Sequence, residues 1–515
     1  MVLVYPPYHF KPPLHYLPYV RPTLVLAHLY AVLEAAGVDC LEAIDLDLEF
    51  DDYGQSLNYY LEKAVKRVER SRPDIVCLSC KVAQFPFAGL FTRRYKLKHP
   101  DTKVVMGGWM PTLAPETVLR ISGCDAIIRG EGERSLPTLI KRMGDPEWPI
   151  EGISYMVLGQ ERVVHNPNSK ALTREELDSL PLPRYDVLPA MQRYQPSYRK
   201  RCFSVEASRG CPNHQCIFCW NSTKNCDTSW RAKSPSRVVK EIRQLADKYG
   251  AQVIFFTDDN FGAELTWLKE FTSIMTEEFK PGDIQYSASM RVDSIDMDMV
   301  GDLYRSGLRT VFHGIESGSP RCWEMLGKNF DPKITRQYIV DAVKKEAESR
   351  ILPKCSFMVG FPNETEEDLD ETMSLCRELA SVGSVFSLQI LAPNEGTMLF
   401  EDHRDIIESF DLYREFGESE NLSTELRAVF GERLNEFFDY LPDNRFVKPS
   451  IPLDRFKEKY SDMIDMASHA NELNMFKIQH SSIQATHYNA RHGEVKNQTG
   501  SRLVNTVRRL LRSLT

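Results

Sequence analysis

The chain has 515 residues, of which 42% are hydrophobic and 26% charged, and its formal net charge is −8. Such a composition is typical of a globular protein with about three structural units, and its acidic balance argues against nucleic-acid binding, because phosphate contacts need clustered lysine and arginine. The most apolar segment, Thr23–Gly37, is too short to span a bilayer. We therefore expect a cytoplasmic protein without membrane contact, in which clustered cysteines indicate metal rather than disulfides.

Short apolar runs alternate with helical periodicity from residue 1 to about residue 144. The alternation predicts a parallel sheet with helices on both faces, because parallel strands need long crossovers. We expect a doubly wound, Rossmann-like α/β domain over residues 1–144. The predicted strands are Val2–Tyr5, Cys40–Ile44, Asp74–Ser79, Lys103–Gly107 and Asp125–Arg129, and the predicted helices lie near 23–36, 56–70, 87–98, 115–122 and 134–143.

Glycines follow two of these strands, at Gly107-Gly108 and at Gly130-Glu131-Gly132. Ligands of doubly wound sheets bind beyond the carboxyl ends of the strands, and glycine allows a backbone to approach a ligand closely. The same glycines are equally consistent with tight turns alone. The residues by themselves leave both interpretations open.

Residues 145–200 predict a hairpin followed by a linker. Ile153–Val157 and Arg162–Val164 flank Gly159, which favours a hairpin turn. Leu180–Asp186 is rich in proline and predicts an extended segment. A domain boundary is therefore expected in this region.

A second alternating series predicts six strand–helix units over residues 201–400. Ser234 is the expected cap of one helix, which begins at Pro235 and ends at Gly250. Six units make a partial (β/α)6 barrel rather than a closed one of eight, and a mostly helical region is expected over residues 401–515. The predicted strands lie at 203–208, 253–258, 284–289, 310–315, 355–359 and 386–391.

The segment from Ser208 to Trp220 carries three closely spaced cysteines, Cys211, Cys216 and Cys219, directly after the first strand of the second series. Three thiolates on one loop can hold three irons of a 4Fe–4S cluster and leave the fourth iron open. A zinc site would need four closed ligands. Because Cys202, Cys226 and His214 lie nearby in the sequence, counting alone leaves zinc open.

Residues 203–400 resemble the radical S-adenosylmethionine (SAM) superfamily in this cysteine segment and in the turns after the later strands. The resemblance implies a 4Fe–4S cluster whose open iron binds SAM, and reductive cleavage of SAM by an electron from the cluster. One departure is that Pro212–Gln215 is one residue longer than the usual interval between the first two cysteines. The loop must accommodate this extra residue.

The resemblance also implies SAM contacts at the ends of the barrel strands. For the acidic residues the alternative is a helix cap or a buried structural pair, and for the arginine it is a surface salt bridge. The turn Pro393–Thr397 matches a family turn without a clear role, and no residue is assigned to catalysis. The implied contacts are Phe218 with adenine, Asp258 or Asp259 with the amino group, Arg291 with the carboxylate, Glu316 with the ribose hydroxyls, and Gly360 and Pro362 with adenine through the backbone.

The first domain resembles the cobalamin-binding domain that precedes many radical SAM barrels. The similarity lies in Pro6-Pro7, the Gly107–Thr112 segment, the Arg129–Glu133 segment and the linker Leu180–Asp186. The Asp-x-His-x-x-Gly pattern that supplies an axial histidine is absent from the sequence. The alternative is a vestigial domain that only packs on the barrel. The implied cobalamin-binding residues are Gly107, Gly108, Thr112, Gly130, Glu131 and Gly132.

Together these features predict a cobalamin-dependent methyltransferase that acts on an unactivated carbon or a phosphinate phosphorus of a small molecule in natural-product biosynthesis. An external electron donor such as flavodoxin or ferredoxin is expected. Oxidative cyclisation or rearrangement without methyl transfer is the alternative. Methylthiolation needs further cluster cysteines, whereas Cys77 and Cys80 are more consistent with small core residues. An iron–sulfur carrier would fill all four iron sites with protein ligands, so a non-enzyme is disfavoured.

Overall fold

A computed structural model describes residues 1–7, 21–39, 42–50, 57–145, 147–157, 162–189, 194, 200–328, 334–409 and 445–478. Several predictions lie partly or wholly outside these residues. They are the start of the second strand at Cys40, the start of the second helix at residue 56, the hairpin residue Gly159, and most of the helical region over 401–515.

The first layer of the fold is a seven-stranded sheet with the order β2-β1-β3-β4-β5-β6-β7. Strands β1 to β5 are parallel, and the order reverses at β1, as in a doubly wound fold. The hairpin expected in the linker instead extends this sheet, because β6 pairs antiparallel with β5. The strands are β1 Val2–Tyr5, β2 Glu42–Asp45, β3 Ile75–Ser79, β4 Lys103–Gly107, β5 Ala126–Ile128, β6 Ile153–Met156 and β7 Val163–His165.

Helices cover both faces of this sheet, as predicted. Side chains alternate along each strand, so Leu3 and Val105 pack with α1 and α7, whereas Val4 and Val104 pack with α3, α4 and α6 on the opposite face. The helices are α1 Leu24–Ala35, α2 Leu46–Glu49, α3 Leu57–Glu69, α4 Phe85–Lys98, α5 Trp109–Leu113, α6 Pro115–Ser122, α7 Ser135–Lys141 and α8 Arg174–Ser179.

The second layer is a six-stranded parallel sheet whose strands lie in chain order, from β8 to β15. This arrangement confirms the predicted partial barrel. A short antiparallel pair, β9 Ser208–Arg209 and β10 Arg231–Ala232, stands beside it. The barrel strands are β8 Arg201–Val205, β11 Ala251–Phe256, β12 Gln285–Ser289, β13 Leu308–Glu316, β14 Leu352–Val359 and β15 Val385–Ile390.

The barrel helices follow the expected capping chemistry. Helix α9 begins at Pro235, the Ser234 hydroxyl accepts a hydrogen bond from the Arg237 amide at 3.3 Å, and Gly250 ends the helix in the left-handed conformation. The remaining elements are α10 Leu265–Glu278, α11 Val300–Ser306, α12 Pro320–Met325, α13 Arg336–Glu348, α14 Glu366–Ser381, α15 Met398–Asp402, β16 Ile407–Ser409, β17 Arg445–Val447 and α16 Leu453–Ile478.

Helix α16 covers the edge of the open barrel at β15. Phe456, Tyr460 and Met463 join the core formed by β14, β15 and α14. Asn471 imitates a neighbouring strand, because its side chain accepts from the Phe386 amide at 2.7 Å and donates to the Phe386 carbonyl at 3.1 Å. An exposed strand edge is thereby satisfied. None of the described helices is both long and apolar enough to cross a bilayer.

We predict that Asn471→Leu destabilises the barrel by about 1–3 kcal/mol, because it leaves the Phe386 amide and carbonyl without partners. The midpoint of urea unfolding is the measurement. Asp462→Ala, at an exposed position of the same helix, is the control. A shift no larger than that of the control would show that the barrel edge does not depend on Asn471.

Candidate functional site

The cysteine loop, residues 211–219, begins directly after β9 at a constrained glycine. Gly210 has φ +75°, and a Cβ there would lie 2.2 Å from the Thr228 carbonyl oxygen, so only glycine fits. Cys216 is buried, and Cys211 and Cys219 are partly buried. Burial raises the pKa of all three thiols. Binding of a metal cofactor would have to displace their protons.

The loop rests on a turn that follows α12. The Asn213 side chain donates to the carbonyls of Gly327 and Lys328 at 3.1 and 2.8 Å, and the Ile217 amide donates to the Leu326 carbonyl at 3.0 Å. Gly327 has φ +64°, and a Cβ there would lie 2.2 Å from the Gln215 carbonyl oxygen. The longer interval between the first two cysteines is thus packed against this turn. The sequence analysis missed this contact, because the two segments are more than a hundred residues apart.

The three thiols fit an iron–sulfur cluster. They lie on one loop, and a 4Fe–4S cluster takes each thiolate on a separate iron.

The two aspartates after β11 have different surroundings. Asp258 accepts from the Ala207 amide at 3.1 Å and from the Ser208 hydroxyl at 2.6 Å, and burial raises its pKa to about 7. Asp259 accepts from the side chains of Trp220 and Asn221 at 3.3 and 3.1 Å. Asp258 therefore anchors the segment before the cysteine loop, while Asp259 binds the residues directly after it.

Arg291 and Glu316 each have a neighbour of opposite charge. The Arg291 guanidinium donates to both carboxylate oxygens of Asp293, at 2.9 and 2.7 Å, and to the Lys328 carbonyl at 3.1 Å. The Lys328 ammonium lies 3.0 Å from the Glu316 carboxylate. The positive charges of Arg291 and Lys328 also favour the thiolate form of Cys216. These residues, placed on three elements, form one polar group beside the cysteine loop.

The turn after β14 is held by a buried acid. Glu364 accepts from the amides of Gly360 and Phe361 at 2.6 and 3.3 Å, and burial raises its pKa to about 8. Phe361 packs in the same apolar cluster as Phe218. The structure thus brings Phe218 and the turn containing Gly360 and Pro362 to one place, as the resemblance implied. Glu364 was not singled out in the sequence.

A cavity of about 400 Å³ lies between the first domain and the barrel. Its walls include all six residues that the resemblance assigned to cobalamin, from the ends of β4 and β5, and Asp259 and Cys226 from the barrel side. Thr112 links the two glycine segments, because its hydroxyl donates to the Gly108 carbonyl at 2.8 Å and accepts from the Gly130 amide at 2.9 Å. The glycine segments therefore form one continuous wall beyond the carboxyl ends of β4 and β5.

A stacked pair of tryptophans joins the end of the cysteine loop to the first domain. The indole rings of Trp109 and Trp220 are stacked, with centroids 5.2 Å apart and planes at 17°. Trp109 follows the Gly107-Gly108 pair, and Trp220 follows Cys219. Sequence reasoning missed this pair, although each tryptophan directly adjoins a motif.

The turn Pro393–Thr397, for which no role was assigned, lies between the first domain and the cysteine loop. Gly396 has φ +82°, and a Cβ there would lie 2.1 Å from the Leu113 carbonyl oxygen of the first domain. Just beyond the turn, the Leu399 amide donates to the Ile217 carbonyl of the cysteine loop at 2.8 Å. The turn thus holds the loop and the first domain together.

Comparison with known proteins identifies the family. The family model of the radical SAM superfamily matches residues 205–376, and that of the B12-binding domain matches residues 13–140. The uncharacterised methyltransferase PH0819 of Pyrococcus horikoshii is 32% identical over 384 residues, which cover 74% of this chain and 78% of the relative. The chain therefore belongs to the radical SAM superfamily and carries a B12-binding domain.

Two other relatives extend the comparison. The anaerobic magnesium-protoporphyrin IX monomethyl ester cyclase of Cereibacter sphaeroides is 24% identical over 400 residues, or 76% of this chain and 61% of the relative. The solved structure of the radical SAM methyltransferase TsrM from Kitasatospora setae, with cobalamin and a 4Fe–4S cluster bound, aligns with a TM-score of 0.63 at 18% identity, over 79% of this chain and 80% of TsrM. That likeness confirms the predicted order of a cobalamin-type domain and a barrel.

The chain is accordingly an enzyme whose cofactors are a 4Fe–4S cluster, SAM and cobalamin. The structure fits these groups, because three thiols share one loop and a glycine-walled cavity adjoins it. The vestigial interpretation of the first domain is thereby disfavoured. The residues that hold each cofactor are proposed below.

We predict that Gly327→Ala lowers the iron content of the reconstituted protein while leaving its secondary structure unchanged. Its left-handed backbone costs alanine about 1–2 kcal/mol, and the new Cβ also displaces the cysteine loop at Gln215. Gly123→Ala is the matched control, because Gly123 has φ +68° but a Cβ there meets nothing within 4 Å. Equal iron content in the two variants would contradict the role of the Gly327 contact.

We predict that Glu364 makes the protein less stable as the pH rises from its ordinary pKa of 4.5 toward about 8. In that interval the folded protein keeps a proton that the unfolded chain releases, so rising pH favours unfolding. Glu364→Gln should therefore weaken the decline of the melting temperature between about pH 5 and about pH 8. Glu367→Gln, at an exposed neighbouring position, should leave the decline unchanged. If the melting temperature of Glu364→Gln falls with pH as steeply as that of the wild type, Glu364 does not cause the decline.

Proposed function

We propose that this enzyme is a cobalamin-dependent radical SAM methyltransferase that acts on a small molecule. The observation that carries the proposal is the cavity at the domain interface. Its glycine wall from the first domain and the cysteine loop of the barrel adjoin each other, so cobalamin and a cluster would be neighbours. The methyltransferase PH0819 and the solved methyltransferase TsrM support the same reaction class.

The cluster is assigned to Cys211, Cys216 and Cys219. Burial opposes the thiolate form of each, but Arg291 and Lys328 offset part of this cost at Cys216. The Gly327 turn and the Asn213 side chain hold the loop in its folded shape before any cofactor binds. A preformed loop loses less entropy on binding than a flexible one.

SAM is assigned to the polar group beside this loop. Asp259 is the proposed partner of the amino group, since it is partly exposed and lines the interface cavity, whereas Asp258 is buried and accepts from Ala207 and Ser208. Arg291 is proposed for the carboxylate and Glu316 for the ribose hydroxyls. A carboxylate offers several acceptor sites, so the Lys328 contact leaves Glu316 able to accept hydroxyl protons.

Adenine is assigned to the apolar cluster that contains Phe218 and Phe361. The turn at Gly360 and Pro362 adjoins that cluster. Glu364 already binds the amides of Gly360 and Phe361, so the backbone carbonyls of the turn are the groups proposed to face adenine. Aromatic packing and a fixed backbone would orient the nucleoside without any charge.

Cobalamin is assigned to the cavity wall at Gly107, Gly108, Thr112, Gly130 and Gly132. When bound, the cluster supplies the electron that cleaves SAM, and cobalamin supplies the methyl group. The protein aligns the reactants and keeps water out of the cavity. We propose an unactivated carbon or a phosphinate phosphorus as the methyl acceptor, in natural-product biosynthesis, with the enzyme in the cytoplasm, a flavodoxin or ferredoxin as electron donor, and no nucleic-acid partner.

Oxidative cyclisation without methyl transfer is the second candidate, because the magnesium-protoporphyrin ester cyclase shares most of the length of this chain. The two reactions differ in what becomes of SAM. Methyl transfer leaves S-adenosylhomocysteine, the product that remains when SAM gives up its methyl group. Cyclisation yields 5′-deoxyadenosine without it.

We predict that the protein, purified without oxygen and reconstituted with iron, sulfide and hydroxocobalamin, forms 5′-deoxyadenosine and S-adenosylhomocysteine when dithionite and SAM are added. Chromatography measures both products, and the visible spectrum of the desalted protein reports bound corrin. The triple variant Cys211/Cys216/Cys219→Ala should lose the cluster and all deoxyadenosine, because the thiolates hold the iron.

Cys202→Ala is the control for this experiment, because it removes a thiol on β8 that belongs neither to the assigned set nor to the residues that line the cavity. Retained activity in that variant, together with loss in the triple variant, supports the three-cysteine assignment. Deoxyadenosine with bound corrin but without S-adenosylhomocysteine would favour cyclisation. A folded wild-type protein with an intact cluster and no deoxyadenosine would overturn the proposal.

A further inference from the structure

Arg209 makes an extensive set of charge contacts two residues before the first cysteine. Its Nη2 lies 2.6 Å from Glu133, its Nη1 3.3 Å from Glu131 and its Nε 2.8 Å from Glu206. Only 14% of its side chain is exposed. Three carboxylates thus surround one guanidinium at the entrance to the cysteine loop.

The two first-domain acids are themselves held on other sides. Glu131 also lies 3.1 Å from Arg231 and accepts from the Leu172 amide at 2.7 Å. Glu133 also contacts His28 at 2.9 Å. Burial alone would raise the pKa of Glu133, but Arg209 and His28 together hold it well below its usual range. Buried charges of this kind persist only when they are paired.

The position of this network indicates a function beyond stability. Glu131 and Glu133 flank Gly132 in the segment assigned to cobalamin, whereas Arg209 belongs to the strand that leads into the cysteine loop. All three residues line the interface cavity. The network therefore spans the domain interface at a wall shared by the two proposed cofactor sites.

These contacts change the role of Glu131. The resemblance implied that it binds cobalamin, but both of its carboxylate oxygens are engaged, one by Arg209 and Arg231 and the other by the Leu172 amide. The neighbouring glycines leave the cavity wall open, while the acids on either side of Gly132 reach across to the barrel. Within this short segment, the glycines are thus available to the cofactor, and the glutamates bind the barrel.

We infer that Arg209 is a positioning residue that fixes the cysteine loop relative to the first domain, through Glu131 and Glu133. It sets the separation between a cluster on the loop and a corrin in the cavity. This inference rests on the proposed function, since it requires that both cofactors be bound. Arg209 itself touches neither the assigned cysteines nor the assigned glycines in any contact described above.

The test measures geometry rather than turnover. In protein loaded with both cofactors and reduced, the cluster and cob(II)alamin are each paramagnetic, so each accelerates the spin relaxation of the other according to their separation. Electron paramagnetic resonance would be recorded for the wild type, Glu133→Gln, Arg209→Lys and the double variant Arg209→Gln/Glu133→Gln. The double variant avoids an unpaired buried charge on Glu133, and Glu133→Gln alone keeps the shape of the network in case the double variant does not fold.

A cofactor-independent readout accompanies it. Hydrogen exchange of the peptide covering residues 207–219 is measured in the protein without added cofactors. The control is Arg67→Gln/Glu42→Gln, which removes a comparable ion pair from the first domain, where Arg67 contacts both Glu42 and Glu49.

We expect unchanged iron and corrin contents in the Arg209 and Glu133 variants, weaker and more dispersed magnetic coupling, and faster exchange of the cysteine loop. Arg209→Lys should be intermediate, because lysine cannot bridge several carboxylates as a guanidinium does. Formation of S-adenosylhomocysteine should fall about 10- to 100-fold, as expected for a misplacement near 1 Å, while deoxyadenosine formation, which needs only the cluster and SAM, should change little. The control should match the wild type.

Coupling and exchange equal to the wild type in the double variant would overturn the inference while leaving the proposed function intact. Loss of iron or corrin from folded variants would also overturn it, because Arg209 would then belong to a binding site. A wild-type protein that holds the cluster but no corrin would overturn the inference and the proposed function together.

Discussion

The structure depends on close backbone contacts that only glycine permits. Gly210 lies against the Thr228 carbonyl, Gly327 against the Gln215 carbonyl, and Gly396 against the Leu113 carbonyl. Each contact is so close that a Cβ on the glycine would clash with the carbonyl oxygen. The first contact lies directly before the cysteine loop, the second lies at its middle, and the third holds the first domain beside it. Since all three glycines have positive φ, both sterics and backbone conformation exclude other residues. The loop is thereby shaped before any cofactor arrives.

Charge at the domain interface complements this backbone framework. The overall acidic balance of the chain says little about the interface, where Arg209 pairs with Glu133 and Arg231 with Glu131, all four largely buried. A low local dielectric makes such pairs strong and makes their loss costly. The glycines allow the packed segments to approach closely, and the ion pairs connect the segment around Gly132 to the strand before the cysteine loop. Both act on the loop that carries the cysteines.

Much of the fold was predictable because periodicity reflects local physics. The five parallel strands of the first sheet and the six of the barrel were expected close to their observed places, and helix α9 has the predicted cap and end. The hairpin was also expected, but its attachment to β5 was not, since strand pairing across a turn does not reveal the next neighbour in a sheet. Asn471, which covers the barrel edge, could not be predicted either, because its helix meets Phe386 of β15 only in the folded structure.

The sequence by itself determined the chemistry available to this protein: three thiols at a spacing that suits a cluster, glycines after the strands of a doubly wound sheet, and polar residues at the ends of barrel strands. Only the tertiary structure decided how these groups are used. In the folded protein, Asp258 accepts from the Ser208 hydroxyl and Glu131 pairs with Arg209. Trp109 stacks on Trp220, and Glu364 accepts from the Gly360 amide. The reason is physical, because residue type and local spacing set what a side chain can bind, whereas partners far away in the chain become neighbours only when the two domains close on each other.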